Sequence, residues 1–205
     1  MKHFLFILAL ALSACANPAD NAPKATVSEA ATPAAATAAA GTQLVFSQEN
    51  STLDFTGSKV TGSESGSFKQ FKGTLELVAE QVERSRVTVE IVMDSVVTQA
   101  AGLAEHLKTP DFFAVEQFPK ATFVSTEIKP GGGNATHTVT GVLELHGVKK
   151  TIAFPATINV ASDAVTVAST FAINRKDFGI VYAGRTNDLI RDEVVLKLAV
   201  RAPRR

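Results

Sequence analysis

Apolar and polar residues alternate with a period of two along most of the chain from Gln43 onward. Such alternation is typical of β-strands that turn one side to an apolar interior and the other to water. The clearest alternating apolar sets are Val87-Val89-Ile91-Met93, Ile152-Phe154-Ala156-Ile158-Val160, Val165-Val167-Ser169-Phe171-Ile173 and Val194-Leu196-Leu198-Val200. Further strands are predicted over Leu44–Ser47, Thr52–Lys59, Gly66–Val78, Ala121–Ile128 and Thr136–Leu145.

Turn-forming residues separate these strands. Gly131 to Asn134 reads as a loop tip, and His146-Gly147 and Ser162-Asp163 read as tight hairpin turns. Strands joined by short turns are antiparallel neighbours. Around eight of them favour an all-β fold, either a closed barrel or a sandwich. Helix is predicted in one short segment, from Thr98 to Phe113, where Pro110 ends it.

The N-terminus carries a targeting pattern. A basic Lys2 and an apolar run from Phe4 to Leu12 precede Ser13-Ala14-Cys15. The run is shorter than the ~20 residues that span a bilayer, so residues 1–14 are predicted to be a secretory signal. Cys15 stands as in the lipobox that this string resembles, which implies a lipidated N-terminal cysteine; an inert cysteine is the alternative. Ala16, rather than an aspartate, then favours a periplasmic position anchored to the outer membrane.

Composition sets further limits. The segment that follows Cys15, to residue 42, is mostly Ala, Pro and Thr and is predicted to be a disordered tether, so that the folded domain covers residues 43–205. Twenty basic and twenty acidic residues cancel, which argues against nucleic acid as a partner. Thirteen Phe against one Tyr and no Trp indicate a dry interior, either a packed core or a cavity lined by rings.

Several strings resemble the YceI-like family of lipocalin-like, polyisoprenoid-binding proteins. They are Gly66 to Gly73 (GSFKQFKG), His106 to Phe113 (HLKTPDFF), Phe118 to Phe123 (FPKATF), Gly141 to Lys150 (GVLELHGVKK), Ile173 to Gly179 (INRKDFG) and Asp192 to Val194 (DEV). The resemblance implies an eight-stranded antiparallel barrel with a long internal apolar pocket. It also implies an amphiphilic ligand such as a polyprenyl phosphate or an isoprenoid quinone. Many members of that family have a Lys-His pair where this chain has Lys59-Val60.

Candidate ligand-binding residues fall into an apolar and a polar set. The apolar pocket candidates are Phe55, Phe68, Phe71, Val89, Ile91, Phe112, Phe113, Phe123, Phe154, Phe171 and Phe178. Phe112 and Phe113 are alternatively a plug or a lid. His106, Arg175 and Asp177 are candidates for the polar head group. The alternatives are a structural histidine and an Arg–Asp pair that pins a loop.

The leading hypothesis is a non-enzymatic, lipid-anchored barrel that carries or stores an isoprenoid-type amphiphile at the cell envelope. No catalytic motif, metal site or cofactor is predicted: a Gly-x-Ser-x-Gly elbow, a His-x-His spacing and a phosphate loop are all missing from the sequence. Two alternatives stay open. One is an enzyme that acts on a lipid or quinone with His106 as acid or base. The other is a structural envelope lipoprotein with a packed barrel. A homodimer is compatible with the sequence.

Overall fold

The computed structural model describes residues 17–30 and 41–204, which contain fourteen strands and one α-helix. The strands are β1 (Thr26–Glu29), β2 (Thr42–Ser47), β3 (Thr52–Lys59), β4 (Gly62–Phe68), β5 (Phe71–Val78), β6 (Gln81–Val92), β7 (Val96–Thr98), β8 (Lys120–Pro130), β9 (His137–Leu145), β10 (Val148–Val160), β11 (Ala164–Asn174), β12 (Gly184–Arg185), β13 (Asp188–Leu189) and β14 (Glu193–Pro203). The helix is α1 (Leu103–Lys108).

The main sheet is antiparallel and returns to its own first segment. Three pairs of strands, β2–β3, β4–β5 and β6–β7, are each one bent chain segment. The first two segments pair along both of their halves: β2 pairs with β5, and β3 pairs with β4. From there the order runs β6, β8, β9, β10, β11 and β14. β14 then pairs with β3, at Leu196 opposite Phe55. Eight segments of the described chain therefore close into a barrel, which confirms the predicted fold class and excludes the sandwich.

Local sequence explains the turns and the bends. At the β9–β10 hairpin, His146 (φ 51°) and Gly147 (φ 73°) take the left-handed conformations of a tight two-residue turn. The predicted single strand Gly66–Val78 is wrong in one respect, because it bends between β4 and β5. There the amides of Lys69 and Gln70 leave the ladder and donate to the backbone oxygen and Oγ of Ser95, at 3.1 and 3.0 Å.

The helical segment is shorter than the predicted Thr98–Phe113. Thr98 ends β7, and Gly102, at a φ of 76°, precedes the first residue of α1. The chain after Lys108 continues as turns, in which the Phe113 amide donates to the carbonyl of Leu107 at 3.0 Å. Pro110 lacks an N–H group and disfavours helix at Thr109, which explains the early end.

Three apolar clusters follow one another through the barrel. The closed-end cluster contains Leu44, Phe46, Leu53, Phe71, Leu75, Leu77, Val165 and Ala202. The central cluster contains Ile128, Val139, Leu143, Ile152, Phe154, Ala156, Phe171, Ile173 and Phe178. The open-end cluster contains Val96, Leu107, Phe112 and Ile180. Ile158 and Leu198 pack against the first two clusters, and Leu145 against the last two, so the apolar interior is continuous.

Residues 17–30 are part of the barrel, so the prediction of disorder is wrong for this stretch. β10 pairs with β11 only over Thr157–Val160, and β1 pairs instead with Lys150–Ala153 of β10. On the other side, Ala172 of β11 exchanges backbone hydrogen bonds of 2.8 Å with Pro23 and Ala25. The segment, called the N-terminal strap below, thus fills the gap between β10 and β11.

The strap is held by backbone pairing and by small side chains. Ala19 is 2% exposed, and Ala25 and Val27 pack against the central cluster. The stretch lacks bulky apolar residues, which is why the sequence indicated disorder. A free strand edge nevertheless supplies hydrogen bonds to any backbone. The predicted signal peptide 1–14 and Cys15 lie outside the described residues. In the part of the chain that the structure describes, no helix has the length and apolar character needed to cross a membrane.

Candidate ligand-binding site

A cleft of about 590 Å³ lies at the open end of the barrel. Three parts of the chain that are distant in sequence enclose it: the β3–β4 hairpin, the start of α1, and the segment that includes β12 and β13. Its lining residues are Phe55, Gly57, Ser58, Lys59, Glu64, Ala100, Ala101, Gly102, Leu103, His106, Leu107, Phe112, Tyr182, Gly184, Arg185, Asp188 and Ile190. A volume of this size falls within the roughly 300–1,000 Å³ of small-molecule sites.

The inner surface of the cleft is apolar and aromatic. Leu107 and Phe112 belong to the open-end cluster, and Leu103 and Tyr182 pack against it. The Tyr182 and Phe112 rings meet edge to face, with their centroids 5.4 Å apart. The cleft therefore has an inner wall of aliphatic and aromatic side chains, which suits contact with hydrocarbon.

Charged side chains form the rim. Lys59 Nζ lies 2.7 Å from Asp188 Oδ2, and the Thr61 hydroxyl donates to Asp188 Oδ1 at 2.9 Å. These donors hold the pKa of Asp188 below its ordinary value, with the hydrogen bond from Lys59 as the largest cause. Glu64 and Arg185 are exposed at the same rim. The rim therefore carries two positive and two negative groups.

His106 lines the cleft, as predicted for a polar contact. Its Nε2 lies 3.0 Å from Asp111 Oδ2, and its ring stands edge-on to Phe112 and Tyr182, with centroids 5.0 and 5.3 Å away. The side chain is 40% exposed, so one face remains open to a ligand. A role as head-group contact stays a prediction. Among residues 17–30 and 41–204, no three His, Cys, Asp or Glu side chains gather as a metal site.

Arg175 and Asp177 do not line the cleft. Arg175 is 4% exposed, and its guanidinium donates to the carbonyls of Ile180, Arg191 and Ile190 at 2.7, 3.1 and 3.4 Å. Its ionic partner is Asp192, at 3.5 Å, rather than Asp177. Burial lowers the pKa of Arg175, and the Asp192 carboxylate opposes that shift. Arg175 thus pins both ends of the segment 180–191, which forms one wall of the cleft.

The predicted apolar residues separate into three places. Phe55 and Phe112 line the cleft, and Phe68 and Phe113 continue from Phe55 in a row of rings with centroids 5.7 and 5.9 Å apart. Phe71 belongs to the closed-end cluster, against which Val89 and Ile91 pack. Phe123, Phe154, Phe171 and Phe178 lie in or against the central cluster.

Rings of the central cluster pack against one another inside the barrel. Phe154 and Phe171 stack with centroids 4.2 Å apart and an angle of 9°, and Phe178 has no exposed surface. The structure has a ring stack in the centre and an open cleft at one end, and the long internal pocket that the family resemblance implied stays a prediction. Stacking of this kind excludes a chain from the centre unless the rings move.

Several cleft residues were not among the sequence candidates. Tyr182 and Ile190 follow strand β11 in a stretch with no clear alternation. They reach the cleft because this stretch pairs with the end of β3. The backbone of Lys59 bridges to Ile190, and the Arg191 amide donates to the Ser58 carbonyl at 2.8 Å. Leu103 lay in the predicted helical segment, but the sequence did not indicate which way its side chain would point. Tyr182 is the single tyrosine of the chain, and this rarity was the sequence feature that could have marked it as a candidate.

A family model places this architecture among known proteins. The YceI-like domain model matches residues 44–202, which is most of the chain. The chain belongs to the YceI-like family. Curated relatives agree: a UPF0312 protein from Pseudomonas savastanoi pv. phaseolicola is 36% identical over 131 residues, which cover 61% of this chain and 68% of that protein. A UPF0312 protein from Pseudomonas fluorescens is 31% identical over 138 residues, or 64% and 71% of the two chains.

Solved structures show the same fold. BcnA of Burkholderia cenocepacia has a TM-score of 0.66 at 24% identity, over 74% of this chain and 96% of that one. The YCEI protein of Campylobacter jejuni has a TM-score of 0.60 at 25% identity, over 68% and 84%. A polyisoprenoid-binding domain from Saccharophagus degradans has a TM-score of 0.62 at 16% identity, over 80% and 100%.

Proposed function

We propose that this protein binds an isoprenoid-type amphiphile, such as a polyprenyl phosphate or an isoprenoid quinone, and that it does so as a carrier or store rather than as an enzyme. The observation that carries the proposal is the cleft itself, which is apolar within and charged at its rim. An amphiphile has the same two parts. Its hydrocarbon end fits against Leu103, Leu107 and Phe112, and its polar end meets the rim.

Burial of the apolar end supplies the driving force. Each Å² of hydrocarbon removed from water contributes about 25 cal/mol. The rim contributes orientation more than affinity, because its charges are exposed to water and Lys59 is already paired with Asp188. The head group therefore meets Arg185 and His106, the rim groups that can donate to a phosphate or a carbonyl and are not paired with Asp188.

The comparisons support the ligand class without naming a ligand for this chain. The Saccharophagus domain is described as polyisoprenoid-binding and has the same fold. The Phe154–Phe171 stack limits how far a chain enters, so a short prenyl end is bound in the cleft, and a longer chain extends out of it or displaces the stack.

We further propose that binding takes place at the cell envelope. The signal pattern of residues 1–14 and the position of Cys15 support a lipidated protein that is anchored in the periplasm, with Ala16 in favour of the outer membrane. Globomycin treatment of cells that express the protein tests this point, since it blocks cleavage before a lipidated cysteine. An unchanged mass of the mature protein after treatment contradicts it.

Ligand binding is tested by solvent extraction of the purified protein with mass spectrometry, and by titration of the emptied protein with farnesyl phosphate and a short-chain ubiquinone. We expect an extractable prenyl lipid and saturable binding. Leu103→Asp places a charge on the apolar wall and should weaken binding at least about tenfold, or ~1.4 kcal/mol. Val45→Asp is the matched control, because Val45 is 53% exposed at the closed end and should leave affinity unchanged. Absence of lipid together with no binding of either probe overturns the proposal.

A further inference from the structure

The rim of the cleft exposes large apolar side chains. In the described ranges, the large hydrophobic residues with high exposure are Val45, Val60, Val97, Val181 and Leu189. Three of these five adjoin cleft-lining residues: Val60 follows Lys59, Leu189 lies between Asp188 and Ile190, and Val181 precedes Tyr182. The amide of Val60 donates to the carbonyl of Leu189 at 3.1 Å, so these two belong to one surface. Val60, Val181 and Leu189 are called the rim patch.

The charges around the rim patch cancel. Lys59 and Arg185 are balanced by Glu64 and Asp188, and Lys59 is paired with Asp188. A partner that is recognised by charge has little to bind here. An apolar surface that is exposed by 48–64% at its three residues instead fits a partner that offers hydrocarbon.

The N-terminal strap begins at the same end of the barrel. Asn17 is buried, and its Oδ1 accepts a hydrogen bond of 3.1 Å from the hydroxyl of Ser58, which lines the cleft. Asn17 lies two positions after Cys15, and two residues span at most ~7 Å. A lipid on Cys15 would therefore enter a bilayer beside the cleft and not at the end of a long tether.

We propose that the open end of the barrel docks on a lipid bilayer, with Val60, Val181 and Leu189 inserted at the boundary between head groups and acyl chains. The cleft then opens directly onto the membrane. Docking depends on buried apolar area. The balanced charges of the rim give anionic lipid no added attraction. The start of the strap at Ser58 fixes this end, rather than the closed end, toward the membrane.

The test uses the full chain with Cys15→Ser, so that an introduced cysteine is the single thiol. Val60→Cys and Val45→Cys are a matched pair, because these side chains are 55% and 53% exposed at opposite ends. Each is labelled with an environment-sensitive fluorophore and mixed with phosphatidylcholine vesicles that contain lipid brominated on the acyl chain. We expect the label at position 60 to shift to shorter wavelength and to be quenched several-fold more than the label at position 45.

A second variant separates docking from mere proximity to the N-terminus. Leu189→Asp in the Val60→Cys chain should reduce quenching to the level at position 45, while Val97→Asp, exposed but outside the rim patch, should not. Phosphatidylglycerol should change neither result. Equal quenching at positions 60 and 45, or a spectral shift at 60 that depends on protein concentration without vesicles, overturns the proposal, the latter in favour of a second copy. Val60 and Leu189 do not line the cleft, so prenyl-lipid binding is scored separately in the same proteins.

Discussion

The two ends of the barrel use the same pair of residues for different purposes. At the closed end Phe46 lies opposite Gly73, and at the open end Phe55 lies opposite Gly66 on the continuation of the same two segments. In each pair the ring covers the glycine so closely that a Cβ would collide with it. Yet Phe46 is 2% exposed within a packed cluster, whereas Phe55 is half-buried and lines the cleft.

The difference comes from what covers each ring. Strand residues of both bent segments and of β11 and β14 surround Phe46, among them Leu44, Leu75, Val165 and Ala202. Around Phe55, α1 and the β12–β13 hairpin span the opening without filling it. The same aromatic–glycine pair therefore becomes part of the core or part of a pocket, depending on which elements cover it.

The largest expected effect is the loss of the closed-end ring. Phe46→Ala should lower the free energy of unfolding by about 3–5 kcal/mol, as for other fully buried Phe residues. Phe55→Ala should cost clearly less, because its ring already faces an open cleft, and should instead weaken binding of farnesyl phosphate. Urea unfolding and ligand titration of the two variants measure the contrast. Equal losses of stability in the two variants would show that Phe55 is packed as fully as Phe46 and that the cleft is closed.

The next effect concerns the wall of the open end. Arg175→Met removes the donor of three backbone carbonyls and should cost about 2–4 kcal/mol, since unpaired buried acceptors are expensive. It should also loosen the segment 180–191, which hydrogen exchange detects. Asp177→Asn is the control, because Asp177 is not the ionic partner of Arg175. A stable Arg175→Met protein with unchanged exchange in that segment contradicts the pinning role.

A smaller effect distinguishes two glycines. Gly73→Ala pushes a methyl group into the Phe46 ring and should cost about 1–3 kcal/mol, as overpacking does. Gly57→Ala meets no atom within 4 Å in the cleft and should change stability by less than about 0.5 kcal/mol. Thermal and urea unfolding of both variants give the comparison. If Gly57→Ala were the more damaging change, the cleft would be narrower than described.

The smallest effect is a pH dependence of the N-terminal strap. Lys24 Nζ donates to Glu193 Oε1 at 2.9 Å, and this hydrogen bond holds the pKa of Glu193 below its ordinary value. A lowered carboxyl pKa stabilises the folded form above the ordinary glutamate pKa, and the contribution is lost as the pH falls through the lowered value. The protection factors of amides in residues 17–30, which are corrected for the intrinsic slowing of exchange in acid, should therefore fall at low pH. Lys24→Met should lower these protection factors at neutral pH and should weaken their fall in acid; an identical pH profile of the protection factors refutes the pair.

Much of the barrel could be predicted from the sequence, because strand alternation and turn residues are local signals. Thr52–Lys59 is a strand with the predicted bounds, and His146-Gly147 is the predicted hairpin turn. The candidate site was predicted less well. Phe55, His106 and Phe112 do line the cleft, but Arg175 and the rings of the central cluster do not, since no sequence pattern reports which interior positions remain uncovered.

The sequence by itself determined an antiparallel all-β barrel of the YceI-like family, a short helical segment and a Phe-rich interior, because alternation and motif strings are carried by neighbouring residues. Only the tertiary structure decided that Phe154 and Phe171 stack in the centre, and that Tyr182 and Ile190 meet Phe55 at an open end. Tertiary structure also ordered residues 17–30, because the free edge of β10 pairs with the backbone of a segment whose small side chains show no hydrophobic pattern.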